Sequence, residues 1–181
     1  RITAQLIDGS TGGHLWAERY DRDLTDIFAV QDEVTQHIVA ALSLKLTRDE
    51  QRLLARKGTE NLEAYDCYLK GREWHLQFTR ESIAQAKPML ERAIALDSAF
   101  ATAYALLAGC HNLDYVNGWS ESPEESLRRA YEMALKAVSA DAAEPQGHHY
   151  LGIIRLWRRE FEPAIVAAEK AIALDPNFAH A

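Results

Sequence analysis

The chain has 181 residues, of which 48% are hydrophobic and 26% are charged, and its formal net charge is −7 at pH 7. This composition is typical of a folded protein and excludes a wholly disordered chain. Residues 59–181 hold 12 basic and 18 acidic side chains, and this excess of negative charge argues against direct binding to nucleic acid. Apolar runs are only a few residues long, so the sequence predicts no contact with a membrane either.

The first 23 residues have the pattern of a β-hairpin. Two strand-like runs, residues 2–7 and 14–20, flank a cluster of Asp, Gly, Ser and Thr at residues 8–13. Because an isolated hairpin is only marginally stable in water, we expect these strands to belong to a larger sheet. Their edge is then expected to be open for pairing.

A helical period follows the hairpin. Apolar residues from Ile27 to Leu42 recur at steps of three and four and form one stripe on a helix. Thr47 and Glu50 then fit a capping box for a second helix, which is expected to end at Gly58. We therefore predict one domain over residues 1–58 and another over residues 59–181.

The second predicted domain is internally repetitive. Segments 92–100, 136–144 and 170–178 each have Ala at their second position and Asp at their sixth. The first two segments are offset by 44 residues and the last two by 34. Internal repeats of this length indicate a stack of helix pairs. The pairs are predicted over residues 62–100, 101–144 and 145–178, with the start of a further repeat from Phe178.

Residues 145–178 resemble one tetratricopeptide repeat (TPR). The matching residues are Leu151, Gly152, Phe161, Ala164, Ala168, Ala171, Asp175 and Pro176. His148 departs from the pattern, because it stands where the repeat usually has Trp or Tyr. The resemblance implies a mainly all-α fold, a TPR helix-turn-helix solenoid of about three repeats.

The other two repeats depart from the usual length or register. Residues 112–122 contain about ten extra residues between the helices of the second repeat. Ser122, Pro123 and Glu125 then predict a capped start for its second helix. Pro88 falls inside the second helix of the first repeat, where we expect it to kink the helix.

Residues 1–58 resemble the carboxyl-terminal part of a TolB amino-terminal-like domain. The resemblance rests on segments 1–8, 14–22 and 26–33, which contain His-Leu-Trp-Ala-Glu-Arg-Tyr and Asp-Ile-Phe-Ala-Val-Gln-Asp-Glu. It implies a truncated α/β domain, a β-hairpin plus helices, ahead of the TPR array. In bacterial multidomain proteins of this kind, the output domain is commonly a class III adenylate cyclase or a winged-helix DNA-binding domain.

No catalytic chemistry is predicted for this chain. It has no Gly-rich phosphate loop, HExxH, CxxC or nucleophile elbow. Paired carboxylates such as Asp32-Glu33 fall at helix starts or on solvated faces. Adjacent His148 and His149 point about 100° apart on a helix, so they are poorly placed to chelate one ion. We expect neither a cofactor nor a metal.

The two cysteines, Cys67 and Cys110, lie far apart on apolar helical stretches. Buried, reduced thiols are the expected state, in preference to a disulfide or a metal site. A cytoplasmic location is therefore predicted.

The TPR resemblance implies that the first helices of the repeats line a groove for a peptide or a partner helix. Carried over by position, the candidate groove residues are Arg72, His75, Asn112, Leu113, Gln146, His149, Ile153, Leu156 and Trp157. The Lys and Asn residues of chaperone-tail-binding TPRs are mostly lacking, so an acidic chaperone tail is not the expected ligand.

We therefore predict a non-catalytic scaffold for protein–protein interaction within a larger bacterial signalling protein. One alternative is the regulatory carboxyl-terminal fragment of a class III adenylate cyclase, and another is a fragment of a winged-helix transcription regulator. A homodimer through the hairpin edge or the open end of the solenoid is a further hypothesis.

Overall fold

The computed structural model describes residues 2–21, 27–41 and 58–178. The chain divides into two compact units, residues 1–57 and residues 58–181. Within the described ranges, the first unit holds a β-hairpin and a helix, and the second unit holds six helices.

The first unit begins with two antiparallel strands, β1 (Ile2–Ile7) and β2 (His14–Tyr20). The carboxylate of Asp8 starts the connection by accepting hydrogen bonds from the backbone N–H and the hydroxyl of Ser10, at 2.8 and 2.6 Å. Gly12 has a φ of +70° in the same turn, a conformation that favours glycine. The hairpin predicted from the alternating runs is confirmed.

Helix α1 (Ile27–Ala41) packs on this hairpin. Tyr20 of β2 and Val30 of α1 are buried, and the Tyr20 hydroxyl oxygen lies 2.9 Å from Nδ1 of His37. The helix coincides with most of the apolar stripe seen in the sequence. Residues 42–57, which include the predicted capping box and second helix, lie outside the described part of the chain.

The second unit is an array of helices that pack in sequence order. They are α2 (Leu62–His75), α3 (Arg80–Leu96), α4 (Ala101–Val116), α5 (Pro123–Ala140), α6 (Pro145–Trp157) and α7 (Phe161–Leu174). The helices pair as α2 with α3, α4 with α5 and α6 with α7, and α3 and α5 each pack on the first helix of the next pair. This is the architecture of a solenoid. No helix in the described ranges combines the length and apolarity needed to cross a bilayer.

Small side chains allow close packing of α6 on α7. Ala164 and Ala171, two of the residues that match the repeat pattern, are buried, and Ala168 is half-buried. A Cβ atom added at Gly152 would lie 3.2 Å from the carbonyl oxygen of Ala164 and 3.4 Å from the backbone nitrogen of Ala168. A larger residue at position 152 would therefore push the two helices apart.

Helix α3 continues without interruption through Pro88. It begins with a capping box in which Thr79 and Ser82 exchange two hydrogen bonds of 3.1 Å between side chain and backbone. Ala86 and Leu90, which flank the proline, are both fully buried. Packing on either side of Pro88 thus retains the helix although the proline lacks a backbone N–H.

The connection between α4 and α5 is shorter than the sequence suggested. Residues 112–116, which we predicted to lie between the helices, are helical, and the connection is residues 117–122. Two buried polar side chains stabilise this additional turn, because Asn112 accepts a hydrogen bond from Trp157 and Asp114 pairs with Lys87. The predicted insertion is therefore partly an extension of α4.

The predicted capping at the start of α5 is also partly wrong. Ser122 is the N-cap residue and Pro123 is the first helical residue, but the Ser122 side chain makes no capping hydrogen bond. Glu125 does not reach back to the N-cap either. Its carboxylate instead accepts hydrogen bonds from Arg128 and Arg129 one turn later, at 2.7 to 2.8 Å.

Candidate partner groove

A cavity of about 370 Å³ lies on the face formed by the first helices of the three pairs. Its walls come from α2, α4 and α6, together with residues that follow α2 and α7. The lining residues are Arg72, His75, Leu76, Phe78, Leu106, Asn112, Leu113, Gln146, His149, Tyr150 and Phe178. Since α2, α4 and α6 lie side by side, residues from all three repeats can contact one ligand.

Most of the candidate groove residues line this cavity, namely Arg72, His75, Asn112, Leu113, Gln146 and His149. Ile153, Leu156 and Trp157 lie outside its lining. Ile153 is half-buried, whereas Leu156 and Trp157 are 48% and 42% exposed in the last turn of α6. The structure thus brings candidate groove residues from three helices together in one cavity, and the end of α6 lies outside the lining of that cavity.

Trp157 is nevertheless joined to the cavity through Asn112. Its indole N–H donates a hydrogen bond to Oδ1 of Asn112, with a nitrogen–oxygen distance of 3.1 Å. The Trp157 ring also packs near Tyr115, with 6.2 Å between the ring centroids. The repeat register assigned both Trp157 and Asn112 to the groove face, but it did not predict that they contact each other.

Tyr150 is a lining residue that sequence reasoning missed. A Cβ atom added at Gly109 of α4 would lie 2.4 Å from Cζ of Tyr150 on α6. The tyrosine ring therefore occupies the space that a side chain at position 109 would need. A glycine on the groove face of α4 was the signal in the sequence for a large residue opposite it.

An aromatic contact recurs at equivalent places in the array. The ring centroids of Tyr68 and Phe100 are 5.1 Å apart, and those of His149 and Phe178 are 5.2 Å apart. Phe100 and Phe178 each follow an Asp by three residues after the second helix of a pair. The equivalence explains why Phe178, which lies beyond α7, forms part of the cavity wall.

The cavity carries positive charge within an acidic chain. Arg72 lines it and makes no salt bridge within the described residues. His75 is 6% exposed, and burial lowers its pKa to about 4, so its ring is neutral at pH 7. Nε2 of His75 is buried and finds no hydrogen-bond partner in the same part of the chain. Two polar groups are therefore left for a ligand.

A second cavity, of about 360 Å³, lies between α3, α4 and α5. Its charged side chains are largely paired, since Arg128 bridges Glu125 and Glu132 at 2.7 and 3.2 Å. His111 in its wall is buried, which lowers its pKa to about 4. Across the described ranges, no three His, Cys, Asp or Glu side chains are placed to share a metal ion. The groove is thus the better candidate site.

Comparison with known protein sequences gives one informative relative. No family model matches the chain. The chain is 47% identical over 164 residues to "Putative adenylate cyclase 3" from Rhizobium meliloti (strain 1021). The match covers 91% of this chain but spans only 28% of the length of that relative.

Solved structures with a similar fold include the second TPR of Spaghetti (RPAP3) bound to the HSP90 peptide SRMEEVD. That structure is 18% identical in sequence to this chain, with a TM-score of 0.51. The match covers 62% of this chain and 93% of the TPR chain. The crystal structure of MamA is 17% identical in sequence to this chain, with a TM-score of 0.48. The match covers 89% of this chain and 84% of the MamA chain. The resemblance of residues 1–58 to a TolB amino-terminal-like domain stays a prediction. The fold predicted from the internal repeats is confirmed: the helical unit of this chain has the fold of a tetratricopeptide-repeat solenoid.

Proposed function

We propose that residues 58–178 form a protein-binding module and that the cavity between α2, α4 and α6 takes up an extended peptide or one face of a partner helix. The observation that carries this proposal is an open, largely apolar cavity lined by a cation, Arg72, and a ring nitrogen, Nε2 of His75, neither of which has a partner among the described residues. Apolar walls with a few convergent polar groups are typical of binding sites.

The second TPR of Spaghetti supports the mode of binding, because that solenoid is bound to an HSP90 peptide. We propose a different ligand for this chain. The peptide SRMEEVD carries three acidic side chains, whereas the described lining residues include one arginine and no lysine. A run of carboxylates would remain without enough positive charge to offset its desolvation.

We further propose that the groove binds its partner without catalysing a reaction. No carboxylate lies among the lining residues that belong to the described part of the chain. His75 is neutral at pH 7, and burial raises the pKa of Tyr150 well above its ordinary value. Neither group exchanges a proton readily near pH 7, so both suit packing and hydrogen bonding better than acid–base chemistry.

Selection from a random peptide library displayed on phage, with the 181-residue chain as bait, tests the groove. We expect enriched peptides to bind the chain in fluorescence anisotropy and to lose about tenfold or more in affinity with Leu113→Glu, which replaces an apolar side chain of the cavity wall by a charged one. Val166→Ser is the control, because Val166 is 63% exposed on α7 and lies outside the cavity. If the peptides bind Leu113→Glu and the unmodified chain with equal affinity, this groove is excluded as their binding site.

The 47% identity to a protein named as an adenylate cyclase favours a second, wider proposal. In it, the chain is a regulatory segment of a class III adenylate cyclase, and groove occupancy alters the output of a separate catalytic domain. No similar sequence match supports the alternative hypothesis that the chain is a fragment of a winged-helix transcription regulator. Cyclic AMP formation by the full-length protein, with and without Leu113→Glu, tests this. Unchanged activity and unchanged regulation in that variant would count against a cyclase-regulating role.

A further inference from the structure

Each connection that follows a first helix contains a residue in the left-handed region of backbone conformation. These residues are Phe78 after α2, Gly118 after α4 and Arg159 after α6, with φ angles of +50°, +65° and +63°. Each of them donates its backbone N–H to the carbonyl oxygen of the residue three positions earlier. Glycine adopts this conformation freely, whereas in other residues the Cβ atom crowds the backbone. The same turn therefore contains glycine once and a large, strained residue twice.

Burial does not account for the strained conformation of Phe78. Its ring lies beside that of His75, with 5.5 Å between the ring centroids, yet the residue is 57% exposed. An aromatic residue stabilises a fold mainly through the area that it buries, and most of this one stays open to solvent. Strained residues of this kind are found at sites that hold a ligand. A role in binding therefore explains Phe78 better than a role in folding does.

Phe78 lies where a ligand of the groove would meet it. It lines the cavity together with Leu76, which comes from the same turn after α2 and is 55% exposed. These two side chains form an apolar rim on one side of the cavity. Exposed apolar surface at a cavity marks a place that a ligand can cover. A charged group placed against this rim would lose its hydration without gaining a partner, so the complementary group is apolar.

We infer that Phe78 is a ligand-contacting residue of the groove, and that the peptide buries one large apolar side chain against Phe78 and Leu76. This inference rests on the proposed function and specifies which part of the ligand the groove recognises. The strained turn is then retained for binding and not for folding. Stability and affinity should therefore respond in opposite directions when glycine replaces Phe78.

The experiment uses peptides selected with the 181-residue chain, and it measures affinity by fluorescence anisotropy and stability by the midpoint of urea denaturation. Phe78→Gly should raise the urea midpoint, because glycine relieves the strain. It should also weaken peptide binding by about tenfold or more, as the loss of a central aromatic contact does at other interfaces. Phe78→Ala should weaken binding to the same extent without raising the midpoint, because alanine keeps the Cβ atom.

Arg159→Gly is the matched control, since Arg159 has the same backbone conformation and its exposed side chain lies outside the cavity lining. This variant should raise the urea midpoint and leave the affinity unchanged. Replacing each apolar residue of a selected peptide by alanine in turn identifies the buried side chain. Once that side chain is absent, Phe78→Gly should weaken binding by less than about threefold, because the contact between the two is already lost.

Three results would overturn the inference. They are an unchanged affinity in Phe78→Gly, a lower urea midpoint in that variant, and a loss of affinity that is the same whichever apolar side chain the peptide lacks. If Leu113→Glu weakens binding and Phe78→Gly does not, the inference fails and the proposed function survives. If no peptide is enriched, or none is sensitive to Leu113→Glu, the inference and the proposed function both fail.

Discussion

Gly109 on α4 lies directly against the ring of Tyr150 on α6. A Cβ atom at position 109 would be 2.4 Å from Cζ and 2.5 Å from the hydroxyl oxygen of that tyrosine. The contact joins the first helices of the second and third repeats beneath the cavity. The distance between these helices, and with it the width of the groove, depends on the absence of a side chain at Gly109.

Gly109→Ala should therefore destabilise the helical unit although alanine is the better helix former. The added methyl group displaces the Tyr150 ring or separates α4 from α6, and overpacking of this kind costs about 1–3 kcal/mol. Urea denaturation followed by circular dichroism measures the change in the free energy of unfolding. Gly9→Ala is the control, because nothing lies within 4 Å of a Cβ atom there. Equal stability of Gly109→Ala and the unmodified chain would contradict the packing described.

The stability of the helical unit should fall as the pH drops from about 7.5 to 5. Burial lowers the pKa of His75 and of His111 from 6.5 to about 4. The unfolded chain therefore takes up protons below pH 6.5 that the folded chain does not bind until about pH 4. Each histidine contributes a loss of about 2 kcal/mol over this interval. Urea denaturation at several pH values measures the slope.

His75→Leu isolates one of these contributions. Its Nε2 atom has no hydrogen-bond partner in the described residues, so a leucine should cost little at pH 7.5. The dependence of stability on pH should then become shallower by about 2 kcal/mol between pH 7.5 and 5. A slope identical to that of the unmodified chain would show that His75 is not held neutral.

Two ion pairs of equal length should differ in their contribution to stability. Lys87 pairs with Asp114, and Lys70 pairs with Asp66, each at 2.6 Å. The Asp114 side chain is 9% exposed, whereas that of Asp66 is 61% exposed. Asp114→Asn should destabilise by about 1–3 kcal/mol because it leaves Lys87 without a buried counter-charge.

Asp66→Asn serves as the matched control and should change the free energy of unfolding by less than about 0.5 kcal/mol, since water already screens that pair. The same urea titration measures both variants. If both substitutions cost the same, burial does not determine the contribution of these pairs.

The exposed face of α7 supports a prediction about self-association. Apolar residues one or two turns apart remain exposed on it: Phe161 at 57%, Ile165 at 58% and Ile172 at 46%, with Val166 beside them at 63%. Contiguous apolar surface of this kind favours association. Sedimentation velocity of the 181-residue chain should show a mean mass that rises with concentration, and Ile165→Glu should suppress the rise. A strict monomer at all concentrations would exclude the homodimer.

The repeat register assigned nine candidate residues to one face, and six of the nine line one cavity in the structure. Arg72, Asn112 and Gln146 lie on three different helices, yet each could be assigned to the same side. The reason is that the face of a helical residue depends on its position within the 3.6-residue period, and the internal repeats aligned the three periods. The same argument extended too far along α6, because Ile153, Leu156 and Trp157 lie outside the lining of the cavity.

Local rules failed where a tertiary contact competed with them. Residues 112–116 were expected in a loop, but the contacts of Asn112 and Asp114 with side chains of other helices keep them helical. Ser122 was expected to cap α5 through its side chain, and Glu125 was expected to reach back to it. The two arginines that follow one turn later compete successfully for the Glu125 carboxylate.

The sequence by itself determined the helix pairs and their order, because small residues that recur at a repeat spacing allow successive helices to pack closely. Only the tertiary structure decided which polar atoms meet. The bond from Trp157 to Asn112 joins residues 45 positions apart, and the pair of Lys87 with Asp114 joins residues 27 apart. Such contacts depend on interhelical distances and rotations of about an ångström, which are set by all packing contacts together and by no local pattern.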